Sequence, residues 1–131
     1  MDKINQAILA CLKANSRRSW QEIGKQVFLS GQAVAARVQQ LEDHGLISAY
    51  TIRQTKIERH FITMFMEVAQ FEQFERFLQQ EPQVEAADKV TGEGCYQLIF
   101  TPDNPQSLEP FLNSLLKYGK YRVSSAIRCV K

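Results

Sequence analysis

The hydrophobic pattern of this chain changes at Gly45. Before that glycine, apolar residues recur at helical spacing throughout; after it, segments that alternate or run together as they do in strands appear, with helical ones between them. Ile4, Ile8, Cys11 and Leu12 make one helical stripe, Ile23 and Val27 a second, and Val34, Val38 and Leu41 a third. The pattern predicts a small helical head followed by a sheet-bearing half.

Local signals place the helix ends. Asp2 is positioned to cap the first helix, and Asn15 to Ser19, NSRRS, is a polar connector. Ser19 and Glu22 have the spacing of a capping box, in which each side chain satisfies the other's free backbone N–H, so a second helix is expected from Trp20 to about Val27. Only Phe28 to Ser30 separate it from the third, for which Ser30 is a suitable N-cap. Two helices joined by so short a turn, with a third before them, form the helix-turn-helix pattern.

After Gly45, LISAYTIR (46–53) reads as a strand leaving the head and QTKIER (54–59) as a polar connector. Six segments follow. HFITMFMEVA (60–69) is a strand and FEQFERFLQQ (71–80) an amphipathic helix. QVEAADKVT (83–91) and CYQLIFT (95–101) are strands close enough to pair as a hairpin. Leu108, Phe111, Leu112, Leu115 and Leu116 mark a second helix, and YRVSSAIRCV (121–130) is a last strand. Two starts are open for that helix: Asn104 with Pro105, or Ser107 as cap, which keeps Pro110 in the first turn where its missing N–H costs nothing.

Strand, helix, strand, strand, helix, strand is the βαββαβ ferredoxin-like order, an antiparallel sheet with both helices on one face. The expected class is therefore α+β: a winged-helix-like helix-turn-helix head at residues 1–45, a strand and linker at 46–59, and a βαββαβ domain at 60–131. Both faces of the strand at 60–69 are largely apolar, with Phe61, Thr63 and Phe65 on one and Ile62, Met64, Met66 and Val68 on the other. The second set is expected to exceed what the helices cover and to pack on another copy, giving a symmetric homodimer.

Composition excludes several classes. With 44% apolar and 23% charged residues the chain reads as an ordinary globular protein. No apolar run approaches the roughly 20 residues that cross a bilayer, and the first residues lack the order of a signal peptide, so a cytoplasmic protein without a membrane partner is expected. Cys11, Cys95 and Cys129 are odd in number and widely spaced, which argues against a disulfide framework or a zinc site. They read as small apolar residues, and no metal or cofactor is expected. Residues 1–60 hold nine Lys or Arg against five Asp or Glu, while residues 61–131 hold seven against nine. A basic first half beside an acidic second half fits different partners for the two, nucleic acid among them.

At about 100° per residue, the side of the third helix opposite Val34, Val38 and Leu41 carries Gln32, Ala36, Gln39 and Asp43, with Ala33, Arg37 and Gln40 along one flank. A small, polar outward side suits a helix that must enter the major groove. Glutamine can pair with adenine, alanine leaves room for a thymine methyl, and arginine reaches guanine or phosphate. Ser30, Gln32, Ala33, Ala36, Arg37 and Gln40 are the candidate base-reading residues, and Arg17, Arg18, Lys25 and Arg53 the candidate phosphate contacts, with double-stranded DNA as partner.

Rival readings also have residues. Cys95 with His44 or His60 could be imagined as a thiol nucleophile and its base, but neither histidine has a partner motif, so no catalytic residues are assigned. An architectural DNA-binding protein without an effector, or a protein-interaction module, fits the same head.

SWQEIGKQVFLSGQAVAARVQQLEDHGLISAYT resembles the DNA-binding head of the Lrp/AsnC family of bacterial and archaeal regulators. The resemblance is carried by Ser19, Glu22, Ile23, Val27, Leu29, Ser30, Arg37, Val38, Leu41, Glu42, Gly45, Ile47, Tyr50 and Thr51. The βαββαβ half is similar to that family's effector and oligomerisation domain. The resemblance implies a cytoplasmic, nucleoid-associated transcription regulator that dimerises, often assembles into octamers, and is tuned by amino acids.

Two departures stand out. Phe28 occupies the turn position where the family has glycine, and a bulky residue at positive φ is strained, so a turn of different build is open here. In TGEGCYQLIF, the loop matching the family's effector motif, Gly92 and Tyr96 match and Glu93 nearly does, but Gly94 replaces an aromatic and Cys95 an aspartate. Gly92, Glu93, Gly94, Cys95 and Tyr96 are the effector-loop candidates. A thiol cannot anchor an ammonium as a carboxylate does, so ordinary amino-acid sensing is not expected and the effector is left open.

Overall fold

Asp2, in extended backbone, accepts the Asn5 N–H and starts α1 (Lys3–Ala14). Ser19 accepts from Glu22 ahead of α2 (Trp20–Val27), and Ser30 from Ala33 ahead of α3 (Gly31–Asp43). Each bond satisfies a backbone donor that the helix leaves unpaired and stabilises by about 1 kcal/mol. The box at Ser19 is half formed: the Glu22 carboxylate takes the Ser19 hydroxyl at 3.2 Å, where the motif would have it take the backbone N–H.

The computed structural model describes residues 1–131, which divide into two compact units, Met1–Arg53 and Gln54–Lys131. In the first, Ile8, Cys11, Leu12, Ile23, Val34 and Val38 form the core, with Ile4, Val27, Leu29 and Ile47 packed against it. All but Leu29 and Ile47 belong to the three predicted stripes, and Leu41 of the third is buried as well; each fully buried aliphatic contributes roughly 1.5–3 kcal/mol.

The end of α3 is a Schellman motif: the Gly45 N–H bonds the Glu42 carbonyl and the Leu46 N–H that of Leu41. The turn aims Ile47 into the core and brings Tyr50 beside Glu42, where burial and that carboxylate raise the phenol's pKa. The strand expected at 46–53 does not form. The head holds no other strand, and a lone extended segment has nothing to pair with.

The second unit follows the βαββαβ order, with β1 (His60–Met66), α4 (Phe71–Gln79), β2 (Val84–Lys89), β3 (Tyr96–Phe100), α5 (Leu108–Leu115) and β4 (Gly119–Ser125). The four strands form one antiparallel sheet in the order β2-β3-β1-β4. Helix α5 starts after Ser107, the second of the two expected starts, and Pro110 is its third residue. Asn104 builds the lead-in instead, taking the Gln106 N–H on its side chain and the Ser107 N–H on its carbonyl.

The faces of β1 are assigned the other way round from the expectation. Ile62 and Met64 are fully buried with Phe74, Leu78, Phe111 and Leu115, and Met66 packs against the same cluster, so this is the helix-facing side. Phe111 stacks on Phe100 at 4.2 Å between ring centroids, and Phe74 meets Tyr96 edge-on at 4.9 Å. The helices do cover this set; Val68 lies past the strand end. The outer face carries Phe61 opposite Ile99, then Thr63, whose hydroxyl accepts from Gln97 at 2.8 Å, then Phe65 beneath the Arg122 guanidinium.

The last strand is shifted from 121–130 to Gly119–Ser125 because β1 sets its length: Gly119 pairs with Met66 and Ser125 with His60, and β1 begins at His60. Cys129 therefore lies exposed beyond the sheet and does not fit the small apolar reading, whereas Cys11 is buried and bonded to Gln26.

Candidate nucleic-acid interface

The tightest approach in the head is between α2 and the turn that follows it. A Cβ on Gly24 would fall 2.3 Å from the Leu29 carbonyl oxygen, so only glycine lets the turn fold back far enough for the Leu29 N–H to bond the Gly24 carbonyl at 3.0 Å. Gly31, the first residue of α3, makes a looser approach, its added Cβ falling 3.1 Å from Gln21 Cγ. This contact sets how α3 leaves α2, and the sequence pattern did not mark it.

The turn itself does not differ in build from one made with glycine. Phe28 takes the left-handed conformation, φ 61° and ψ 43°, and carries its ring into solvent. The backbone requirement outweighs the side chain's preference.

On α3, Gln32, Ala36 and Gln40 are exposed, Ala33 is half-buried, and Ser30 is exposed with its hydroxyl oxygen capping the helix. These five share one polar, sparsely charged surface beginning at the helix N-terminus. Gln39 is bonded to Asp43 on the helix's last turns. Arg37 is placed differently from the expectation of an outward-reaching arginine. Its Nη1 lies 2.9 Å from Asp2 and 3.1 Å from Asn5, which ties α3 to the start of α1. The capping bond from the Asn5 N–H, together with Arg37, holds the Asp2 carboxyl below the usual range.

Among the phosphate candidates, Arg17, Lys25 and Arg53 are exposed, and Arg18 donates to Gln26 Oε1, which also receives the Cys11 thiol. Arg17 and Arg18 precede α2, Lys25 lies on it, and Arg53 closes the unit.

In the second unit the effector-loop candidates form the β2-β3 turn. Gly94 has φ 80°, and a Cβ there would fall 2.6 Å from Thr63 Cγ2 and 3.1 Å from the Met64 carbonyl. No aromatic side chain fits at 94 in this turn, which accounts for the departure noted in the sequence. The Cys95 N–H bonds the Met64 carbonyl at 2.7 Å, and Glu93 lies 3.6 Å from Arg122 on the surface. Tyr96 is a core residue: it is buried and its hydroxyl donates to Glu75 at 2.6 Å, and burial with this carboxylate pushes its pKa up. Beside α4 and β2 lies a cleft of about 420 Å³, lined in part by Glu75, Glu81, Glu85, Lys89 and Tyr96.

Cys95 and His60 are not brought together. Cys95 bonds Met64, while His60 sits four residues back along β1, roughly 13 Å away by the rise of a strand. Both ring nitrogens of His60 are engaged, Nδ1 with Ser125 at 2.7 Å and Nε2 with Glu58 at 2.9 Å. No helix is long and apolar enough to cross a membrane.

Comparison with known families agrees with both units. The AsnC-type helix-turn-helix domain matches residues 1–42, and the Lrp/AsnC ligand binding domain matches residues 59–131. The chain belongs to the Lrp/AsnC family. It is 34% identical to the HTH-type transcriptional regulator LrpB of Bacillus subtilis over 100% of this chain and 91% of LrpB. Among solved structures it is similar to B. subtilis LrpC, with TM-score 0.80, 26% identity and coverage of 100% and 97% of the two chains. It is also similar to the transcriptional regulator NMB0573 of Neisseria meningitidis, solved as an L-Met complex, with TM-score 0.78, 25% identity and coverage of 100% and 92%. The α+β class and the reading as an HTH-type transcriptional regulator both stand.

Proposed function

We propose that the head reads double-stranded DNA by placing α3 in the major groove. The observation that carries this is the capped N-terminus of α3 with Ser30, Gln32, Ala33, Ala36 and Gln40 on one surface free of bulky charge. In that reading Gln32 and Gln40 meet adenine edges, Ala33 and Ala36 leave room for thymine methyls, and Arg17, Arg18, Lys25 and Arg53 contact phosphates. Arg37, held by Asp2, contributes mainly by fixing α3.

The second unit is read as the dimerising half, through the outer sheet face around Phe61, Phe65 and Ile99, and assembly to an octamer is compatible with it. It is also read as responsive to a small molecule. NMB0573 is solved with L-methionine, and the cleft beside α4 and β2, with Lys89 and Glu75 in its lining, has a size and mixed charge that suit a small zwitterion. The β2-β3 turn offers no carboxylate at Cys95, which favours, as a second reading, an architectural DNA-binding protein that needs no effector. The relatives are transcriptional regulators, and with Cys95 and His60 apart, a non-enzymatic protein of the cytoplasm, nucleoid-associated, is the consistent assignment.

A binding-site selection on random duplex tests the reading. It is expected to return pseudo-palindromes with half-sites about 34–36 Å apart or a multiple of that. Isolated, unpaired half-sites would overturn the paired-head arrangement.

A further inference from the structure

The turn between α2 and α3 holds a residue its backbone disfavours. Phe28 sits in the left-handed region, where the Cβ of any L-residue crowds the following carbonyl, and glycine would hold the same turn without strain. The fold returns nothing for this strain, since the residue is 92% exposed. A strained conformation with an outward aromatic ring points to a use outside the fold.

The place of Phe28 indicates that use. Two residues later Ser30 caps α3, and Gln32 and Ala33 follow in its first turn. Phe28 thus stands at the end of α3 that enters the groove in helix-turn-helix docking, where the N-terminal residues of the second helix meet base edges.

We propose that Phe28 is a DNA-contacting residue, its ring packing on the apolar surface at the groove edge, a thymine methyl or the face of a deoxyribose. The proposal rests on the reading of the head as a binder of duplex DNA. The contact is apolar and releases no counterions, so its loss weakens binding by the same factor at every salt concentration. That behaviour separates Phe28 from Arg17, Arg18 and Lys25.

The experiment uses the full chain as wild type and as Phe28→Gly, Phe28→Asn and Phe28→Tyr. Thermal melting is followed alongside anisotropy titrations of a selected duplex at several salt concentrations. Phe28→Gly is expected to melt about 4 °C higher, because strain is relieved, yet to bind about tenfold more weakly with an unchanged salt slope. Phe28→Asn, which tolerates the left-handed conformation, loses affinity likewise, and Phe28→Tyr, which keeps the ring, retains it. Binding by Phe28→Gly and Phe28→Asn as tight as wild type overturns the proposal while leaving the head a DNA reader. Failure of the wild type to bind any duplex at low salt overturns the DNA reading and the proposal together.

Discussion

Asp2 and Arg37, 35 residues apart, meet at 2.9 Å and close the head from the first helix to the third. The Asp2 carboxylate caps α1 through one oxygen and holds Arg37 through the other. Its folded pKa is therefore depressed, first by the Asn5 N–H and then by Arg37. A depressed carboxylate contributes stability that is present above its unfolded pKa, about 4, and is lost as pH falls through the folded value. Asp2→Asn should lower the head's melting temperature at pH 7, with the gap to wild type closing below about pH 4. A gap independent of pH, measured by calorimetry, would contradict this.

Gly24→Ala should damage the turn that aims α3. The added methyl falls on the Leu29 carbonyl oxygen, which is backbone and cannot swing aside. A loss of about 3 kcal/mol in the head is expected, with weakened DNA binding. Denaturant unfolding followed by Trp20 fluorescence measures it, since the chain's single Trp lies at the start of α2.

Tyr96→Phe removes the 2.6 Å bond to Glu75 beneath the sheet. The expected cost at pH 7 is about 1–3 kcal/mol. The Tyr96 pKa is raised in the fold, so the unfolded chain ionises first on the alkaline side, and wild type loses this stability as pH rises beyond about 10. The difference between wild type and Tyr96→Phe should therefore narrow above that pH. Urea titrations at pH 7 and pH 11 check both the size and the sign.

Phe61→Glu places a charge on the outer sheet face at a residue 39% exposed in the single chain. The fold tolerates it, but a dimer packed through this face buries a carboxylate beside Arg59, whose guanidinium already pairs with Glu85. Analytical ultracentrifugation should show the variant as a folded monomer at concentrations where wild type is a dimer. An unchanged sedimentation coefficient would move the dimer interface elsewhere.

The helices were legible because their signals are local. Asp2, Ser19 and Ser30 cap the residues their spacing predicts, and the stripes from Ile8, Ile23 and Val34 meet in one core. The sheet was legible in order but not in facing, because Ile62 and Phe61 begin two equally apolar rows and a period of two cannot choose between them. The end of β4 depends on where β1 starts, and residues 46–53 needed a partner the single chain lacks. Arg37 looks outward in the sequence because its partners, Asp2 and Asn5, lie at the start of another helix. At Phe28 the side chain and the backbone pull toward different conformations, and the fold follows the backbone.

The central claim is that α3 reads DNA through Gln32 and Gln40, with Arg17, Arg18 and Lys25 on the phosphates. It is tested most directly by anisotropy titration of a selected duplex and a random one across a salt series, with wild type, Gln32→Ala with Gln40→Ala, and Arg17→Ala with Arg18→Ala. The predicted result is a linear fall of log affinity with log salt for wild type, a slope shallower by about 2 in the arginine pair, and loss of preference for the selected duplex, at unchanged slope, in the glutamine pair. Equal affinity of wild type for the two duplexes, or a glutamine pair that still discriminates between them, would contradict it.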